Sequence, residues 1–203
     1  MIIDHTQFSE RQMDKLIKGA VVPRPIAWVS TVNKAGETNL APYSFFTVAS
    51  LDPITLCISI AAKEEGNGAK DTLNNIREIG DFVINIVNAP LANAMYESSL
   101  NVPPHESEFE LAGLTTAKSK HVTSPRVAES PISMECQLDQ LIPVGNSTLV
   151  LGTLVCYHID EEILADNDKV DPHNLEVIGR MAGDYTYSNN FFSLPIKKFP
   201  SRK

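Results

Sequence analysis

Several things are scarce in this sequence, and each scarcity excludes a class of function. Positive charge is in deficit. Lys and Arg together number 17 against 25 Asp and Glu, a formal net charge of −8 over 203 residues, so a nucleic-acid surface, which needs basic side chains gathered on one face, is not expected. No apolar run approaches the roughly 20 residues that cross a bilayer, and the opening MIIDHTQFSE lacks a basic stretch followed by an apolar one. A cytoplasmic protein with no membrane partner is expected. Cysteine is limited to Cys57, Cys136 and Cys156, odd in number and widely spaced in apolar, strand-like segments. They read as reduced core thiols and not as a disulfide framework, and no pair has metal-ligand spacing.

The usual signatures of acid, base and nucleophile chemistry are missing too. The five histidines, His5, His105, His121, His158 and His173, show no HxxxH or HxH spacing, so a histidine-based metal site is not expected. There is no GxSxG elbow for a serine hydrolase. Nor does any GxGxxG follow a strand.

What is present suits one domain spanning residues 1–203, with 43% hydrophobic residues to build a core. Ser9 and Gln12 form a capping-box pattern, and Met13, Leu16 and Ile17 give the one-sided spacing of a short helix that Gly19 can end. Ile26 to Val32 reads as a strand, Asn33 to Gly36 as its turn and Thr38 to Ala41 as its return. Phe45 to Ser50 and Ile54 to Ile60 are two more strands across the Leu51-Asp52-Pro53 turn. A helix over Thr72 to Ile79 stops at Gly80, a strand follows over Phe82 to Val87, and Pro90 to Leu100 reads as another helix. Asn101 to Pro131, polar and proline-rich, is expected to form an excursion or lid. Ile132 to Asp139 alternates apolar and polar residues, and Leu149 to Ile159 is a long apolar strand with Gly152 at a bulge or close approach. Many strands, few helices and strong hairpin signals predict a mainly β, antiparallel barrel with peripheral helices.

Two stretches carry the candidate chemistry. In GAKDTLNNIREIG, Lys70, Asp71 and Thr72 stand at a helix start, where free N–H groups, the positive end of the helix dipole, an ammonium and a hydroxyl make a phosphate seat. The same residues also fit an ordinary N-cap. In NLAPYSFFT, aromatics sit beside small hydroxyl residues; Phe45 and Phe46 point to opposite faces of a strand, so at most one of them faces a ligand. Trp28, mid-strand, reads as core.

The segments RPIAWVST, NLAPYSFF and KDTLNNI, in this order and at this spacing, resemble the flavin reductase-like family of FMN-binding split barrels, the flavoredoxin-like proteins. The likeness runs from about Gly19 to Ile159, with a weaker echo in GRMAGDY, Gly179 to Tyr185. It implies an antiparallel split barrel of six or seven strands, a homodimer with FMN at or near the subunit interface, and hydride transfer from NAD(P)H through FMN to a free flavin or another acceptor. It also implies a flavin slot at the turn from Tyr43 through Phe45 to Thr47, with hydrogen bonds from Ser44, Thr47 and Ser59 and a phosphate on Lys70 and Thr72. Asp71 is then the helix cap. Arg24 is a candidate flavin contact, with a surface salt bridge as its alternative. His158, Arg180 and Tyr185 are candidates near the pocket, with a structural role preferred for His158. No catalytic residue is assigned, because the flavin carries the redox chemistry. Two other readings remain: an FMN-binding electron carrier or flavin store, and a cofactor-free structural or interaction barrel. The missing GxGxxG does not separate them, since split barrels bind nicotinamide without it.

Overall fold

The computed structural model describes residues 2–63, 68–100, 107–166 and 168–195. Strand β1, Ala27–Val32, is buried on both faces and pairs antiparallel with β2, Thr38–Tyr43. Their turn is tied by the Asn33 carboxamide, whose Oδ1 accepts from the Ala35 N–H at 2.9 Å and the Glu37 N–H at 3.0 Å. The return strand runs two residues further than the sequence predicts, through Pro42. Because β2 is an edge strand, the missing proline N–H costs no ladder bond there.

Strands β3, Phe46–Leu51, and β4, Ile54–Ala61, follow. Helix α1 is Glu10–Ala20 and helix α2 is Asp71–Ile79, which leads into β5, Asp81–Ile86. The long hairpin of β6, Ile132–Val144, and β7, Ser147–Ile159, completes a seven-stranded antiparallel sheet of order β2-β1-β5-β6-β7-β4-β3. The hairpin is longer than the sequence reading. Gly145, at φ +55°, opens a two-residue Gly-Asn loop, the position where a hairpin turn of this length favours glycine.

The two edges of this sheet, β2 and β3, are consecutive in the chain and separated only by Ser44 and Phe45. Two residues span too short a distance for a flat sheet of seven strands about 4.8 Å apart. The sheet therefore curls until its edges meet, yet β2 and β3 do not pair with each other. The barrel is left with a seam at Ser44-Phe45.

Inside it, Val29, Ile58, Ile76, Phe82, Ile84 and Val150 form the main core. Gly152 lies against Phe82, and a Cβ there would fall 2.3 Å from the ring, which makes it the close-approach glycine the sequence suggested. A second apolar cluster on the outer side of β1 gathers Trp28, Leu40, Val87, Met95, Phe109 and Val127. Trp28 is fully buried and its Nε1 donates to Ser98 Oγ at 2.9 Å, so its core assignment holds.

The peripheral elements differ from expectation at their ends. The capping box of Ser9 and Gln12 is present, but α1 runs past Gly19 and stops at Val21. Pro90 lies in a 3-10 turn, Ala89–Leu91, leaving only Ala92–Glu97 for helix α3. Of the expected lid, residues 101–106 lie outside the described residues. The rest is anchored at a few buried residues while much of it stays exposed. Helix α4, Glu108–Leu111, and a ribbon pairing Thr116–Ala117 with Arg126–Val127 send Phe109 and Val127 into the second core. Only Cys136 is a core thiol; Cys57 and Cys156 are half-buried. Among the described residues no helix is long and apolar enough to cross a membrane.

Candidate functional site

The seam is where most of the expected site residues come together. Phe46 turns inward against the core while Phe45 stays 48% exposed, which settles which of the two aromatics is packing. A cleft of about 390 Å³ opens beside Phe45, walled by Ile17, Val21, Arg24, Ser44 and Thr47. Ser59, on β4, donates its backbone N–H to the Phe45 carbonyl at 2.8 Å, which ties it to the seam, but it does not line this cleft. On the other side of Ser44 lies a second cleft, about 480 Å³, lined by Ile26, Tyr96, Ser99, Arg180 and Tyr185. The Arg180 guanidinium covers the Tyr185 ring at 4.4 Å, so both of these candidates sit on one wall.

Arg24 is held between the clefts. Its Nη1 donates to the carbonyls of Lys18, at 2.7 Å, and Val21, at 2.9 Å, its Nη2 to Met181 O at 2.8 Å and its Nε to Ser44 Oγ at 3.3 Å. It is only 6% exposed and has no acidic partner among the described residues, so the surface salt bridge weighed for it does not exist. Burial, helped by the nearby Arg180 charge, pulls its pKa below the usual arginine value. Arg24 closes the last carbonyls of α1, joins them to the 181 loop, and lies 5.7 Å over the Phe45 ring. No local sequence signal announces Ile17 and Val21, at the end of α1, or Tyr96 and Ser99, at the end of α3, as cleft walls. They arrive there only through the tertiary fold.

The start of α2 adjoins the seam through Tyr43. Lys70 is the exposed N-cap residue of this nine-residue helix, no side chain caps it, and the Lys70 ammonium lies 5.5 Å over the Tyr43 ring. Asp71 is not the cap the sequence suggested. It is the first helical residue, and its carboxylate faces Lys63 at 3.4 Å. Thr72 is 1% exposed and its hydroxyl donates to Asn39 Oδ1 at 2.6 Å, so its side chain belongs to an internal network, leaving its backbone N–H at the helix start. Asn39 in turn donates to Glu108 Oε1 at 2.8 Å, and Glu108 Oε2 accepts the Leu40 N–H at 3.1 Å. Burial raises the Glu108 pKa, against the pull of its own backbone N–H and of the Leu40 and Asn39 donors. The Tyr43 hydroxyl is buried beside Thr72 without a hydrogen bond of good geometry, and burial pushes its pKa up to about 12. His158 lines neither cleft; its Nε2 meets Glu135 Oε1 at 2.5 Å, a structural pairing of the kind preferred for it.

A flat aromatic wall, small hydroxyls, backbone groups at an unpaired seam and a cationic helix start fit a ligand that joins a planar ring to an anion. Comparison with known proteins gives the same direction. The flavin reductase like domain matches residues 19–173. The crystal structure of nitrilotriacetate monooxygenase component B from Bacillus cereus superposes with a TM-score of 0.91 at 35% identity, covering 96% of this chain and 98% of that one. The 2-nitrobenzoate 2-nitroreductase of Pseudomonas fluorescens does so with a TM-score of 0.89 at 31% identity, covering 99% of each chain. A Shewanella frigidimarina protein with a split barrel domain shares the fold, with a TM-score of 0.84 at 21% identity over 97% of this chain and all of that one, 100%. With a match that spans most of its length and a seven-stranded barrel open at one seam, this chain belongs to the flavin reductase-like family.

Proposed function

We propose that the protein is an FMN-binding, NAD(P)H-dependent flavin reductase that works in the cytoplasm as a homodimer. The observation that carries this reading is the continuity of the seam: Arg24, Ser44, Phe45 and Thr47 line one cleft, and Tyr43 links it to the Lys70 end of α2. FMN, when bound, supplies a ring that takes up a hydride and gives up electrons to a second flavin or another acceptor. The chain's part is to bind and orient. Ser44, Thr47 and Ser59 offer hydrogen bonds to the ring and ribityl chain. Lys70 and the uncapped N–H groups of Asp71 and Thr72 would hold the phosphate, where the helix dipole favours an anion. Phe45 gives the ring an apolar surface and keeps water from that side.

The dimer is supported by apolar surface left uncovered around the same seam. Helix α1 has no buried residue and exposes Leu16 at 44% and Ile17 at 55%, with Val21 just past its end at 59%. The neighbouring β3–β4 hairpin exposes Val48 at 54% and Leu51 at 79%. An 11-residue helix is marginal in water without a surface for its apolar stripe, and a second copy of the chain provides one.

Comparing FMN with riboflavin tests the phosphate seat. Quenching of flavin fluorescence on titration should give FMN at least about tenfold tighter binding than riboflavin, since charge-assisted bonds are worth about 1.5–3 kcal/mol. Equal affinities would remove the phosphate from the helix start, and no binding of either would leave the cofactor-free barrel as the reading.

A further inference from the structure

Glutamate, cysteine and histidine converge at a place that the flavin reading does not use. Met134 packs against the barrel core and Cys136 lies within it, so Glu135 between them points to the outer face of β6. It stands directly across from Cys156 of β7, and His158, two residues further on, projects from the same side of its strand as Cys156. A Glu135 carboxylate oxygen, the Cys156 sulfur and a His158 ring nitrogen all lie within 4.8 Å of one another.

We propose that Glu135, Cys156 and His158 form a binding site for a zinc-class divalent cation, separate from the flavin seam. One sulfur, one imidazole nitrogen and one carboxylate oxygen are a donor set that zinc accepts. Zinc holds thiolate at about 2.3 Å and imidazole or carboxylate at about 2.0–2.2 Å, so its tetrahedral ligands stand roughly 3.2–3.7 Å apart. The triangle here needs only a small adjustment to reach that. His158 Nε2 and Glu135 Oε1, at 2.5 Å, are closer than a shared cation allows, but the His158 side chain is 26% exposed and has room to move outward.

The carboxylate is fixed in advance. Glu135 is fully buried, and its two oxygens accept the backbone N–H groups of Lys120, at 2.7 Å, and His121, at 2.6 Å, as an outer shell does for a metal ligand. A histidine–glutamate pair alone would need no thiol. Cys156 nevertheless stands half-buried beside that pair, with no hydrogen bond to its sulfur among the described residues, in surroundings unlike the apolar ones a packing cysteine takes. Bound as a thiolate and a carboxylate, Cys156 and Glu135 would balance the two charges of the cation, and His158 would present a ring nitrogen without its proton. The half-exposed side of the cluster leaves a fourth position open to water. The ion would then clip β6 to β7 and, through Glu135, to residues 120–121.

The test uses the full-length protein, stripped with a chelator and titrated with zinc in competition with a chromophoric chelator, then with cobalt(II). The expected result is one zinc per chain with a dissociation constant at or below the micromolar range, and a near-ultraviolet thiolate-to-cobalt band. Cys156→Ser should abolish the band, and both Cys156→Ser and His158→Gln should weaken zinc binding at least tenfold with circular dichroism unchanged. Absence of stoichiometric binding at micromolar zinc, or binding that both variants retain, would overturn the proposal. Neither residue lines a flavin cleft, so the outcome is independent of the flavin reading.

Discussion

Ser44 faces both clefts at the seam, and its hydroxyl accepts the Arg24 Nε proton across a long 3.3 Å contact. Removing that oxygen leaves Arg24 three backbone carbonyls to hold it, so the fold has little to lose, while a flavin in the cleft would lose an oxygen and meet a bulkier side chain. Ser44→Val is expected to weaken FMN binding at least about tenfold and to change the stability of the cofactor-free protein by about 1 kcal/mol or less. Urea unfolding alongside fluorescence titration checks both halves. A large loss of stability with FMN affinity retained would make the seam ordinary packing.

At the scale of elements, α2 shows how far the sequence could be read. Its position, its stop at Gly80 and its cationic start are local matters and were legible from the chain. Which side chains remain free at that start was not, because it depends on β2: Asn39, 33 residues earlier, accepts the Thr72 hydroxyl and takes it out of reach of a ligand. Asp71 likewise needed the position of Lys63 to be placed. The same division holds elsewhere. The strands of the barrel follow from alternation and turn chemistry, but the cleft walls Ile17, Val21, Tyr96 and Ser99 come from the ends of two helices whose apolar spacing says only that they pack. Nor did sequence spacing reveal that Cys156 and His158 would meet Glu135, since the cross-strand register that joins them includes an irregularity at Glu135-Cys136. With Thr72 committed internally, Lys70 is the exposed side chain at the helix start whose loss should touch the ligand and not the core. Lys70→Ala is therefore expected to cost about tenfold in FMN affinity while leaving riboflavin affinity unchanged. An equal effect on both flavins would contradict a phosphate contact.

For the whole molecule, the closure of the sheet and the exposed apolar surfaces belong to one argument. The two-residue link between β2 and β3 curls the sheet and leaves the seam unpaired. The α1 stripe and the β3–β4 hairpin beside it remain uncovered in a single chain. Sedimentation velocity should find a dimer at micromolar concentration, and Leu16→Asp with Leu51→Asp, neither of which lines a cleft, should shift it toward monomer and lower FMN occupancy together. A monomeric native protein that binds FMN normally would place the cofactor wholly within one chain.

The flavin reductase reading itself is tested most directly by an anaerobic cuvette. The FMN-loaded protein is mixed with NADH or NADPH and followed at the visible flavin absorbance. Bleaching within the mixing time or over seconds, with colour restored when an oxidised flavin acceptor is added, is the predicted result. FMN that stays bound and oxidised with both nicotinamides, yet is reduced by dithionite, would contradict it and make the protein an electron carrier or a flavin store.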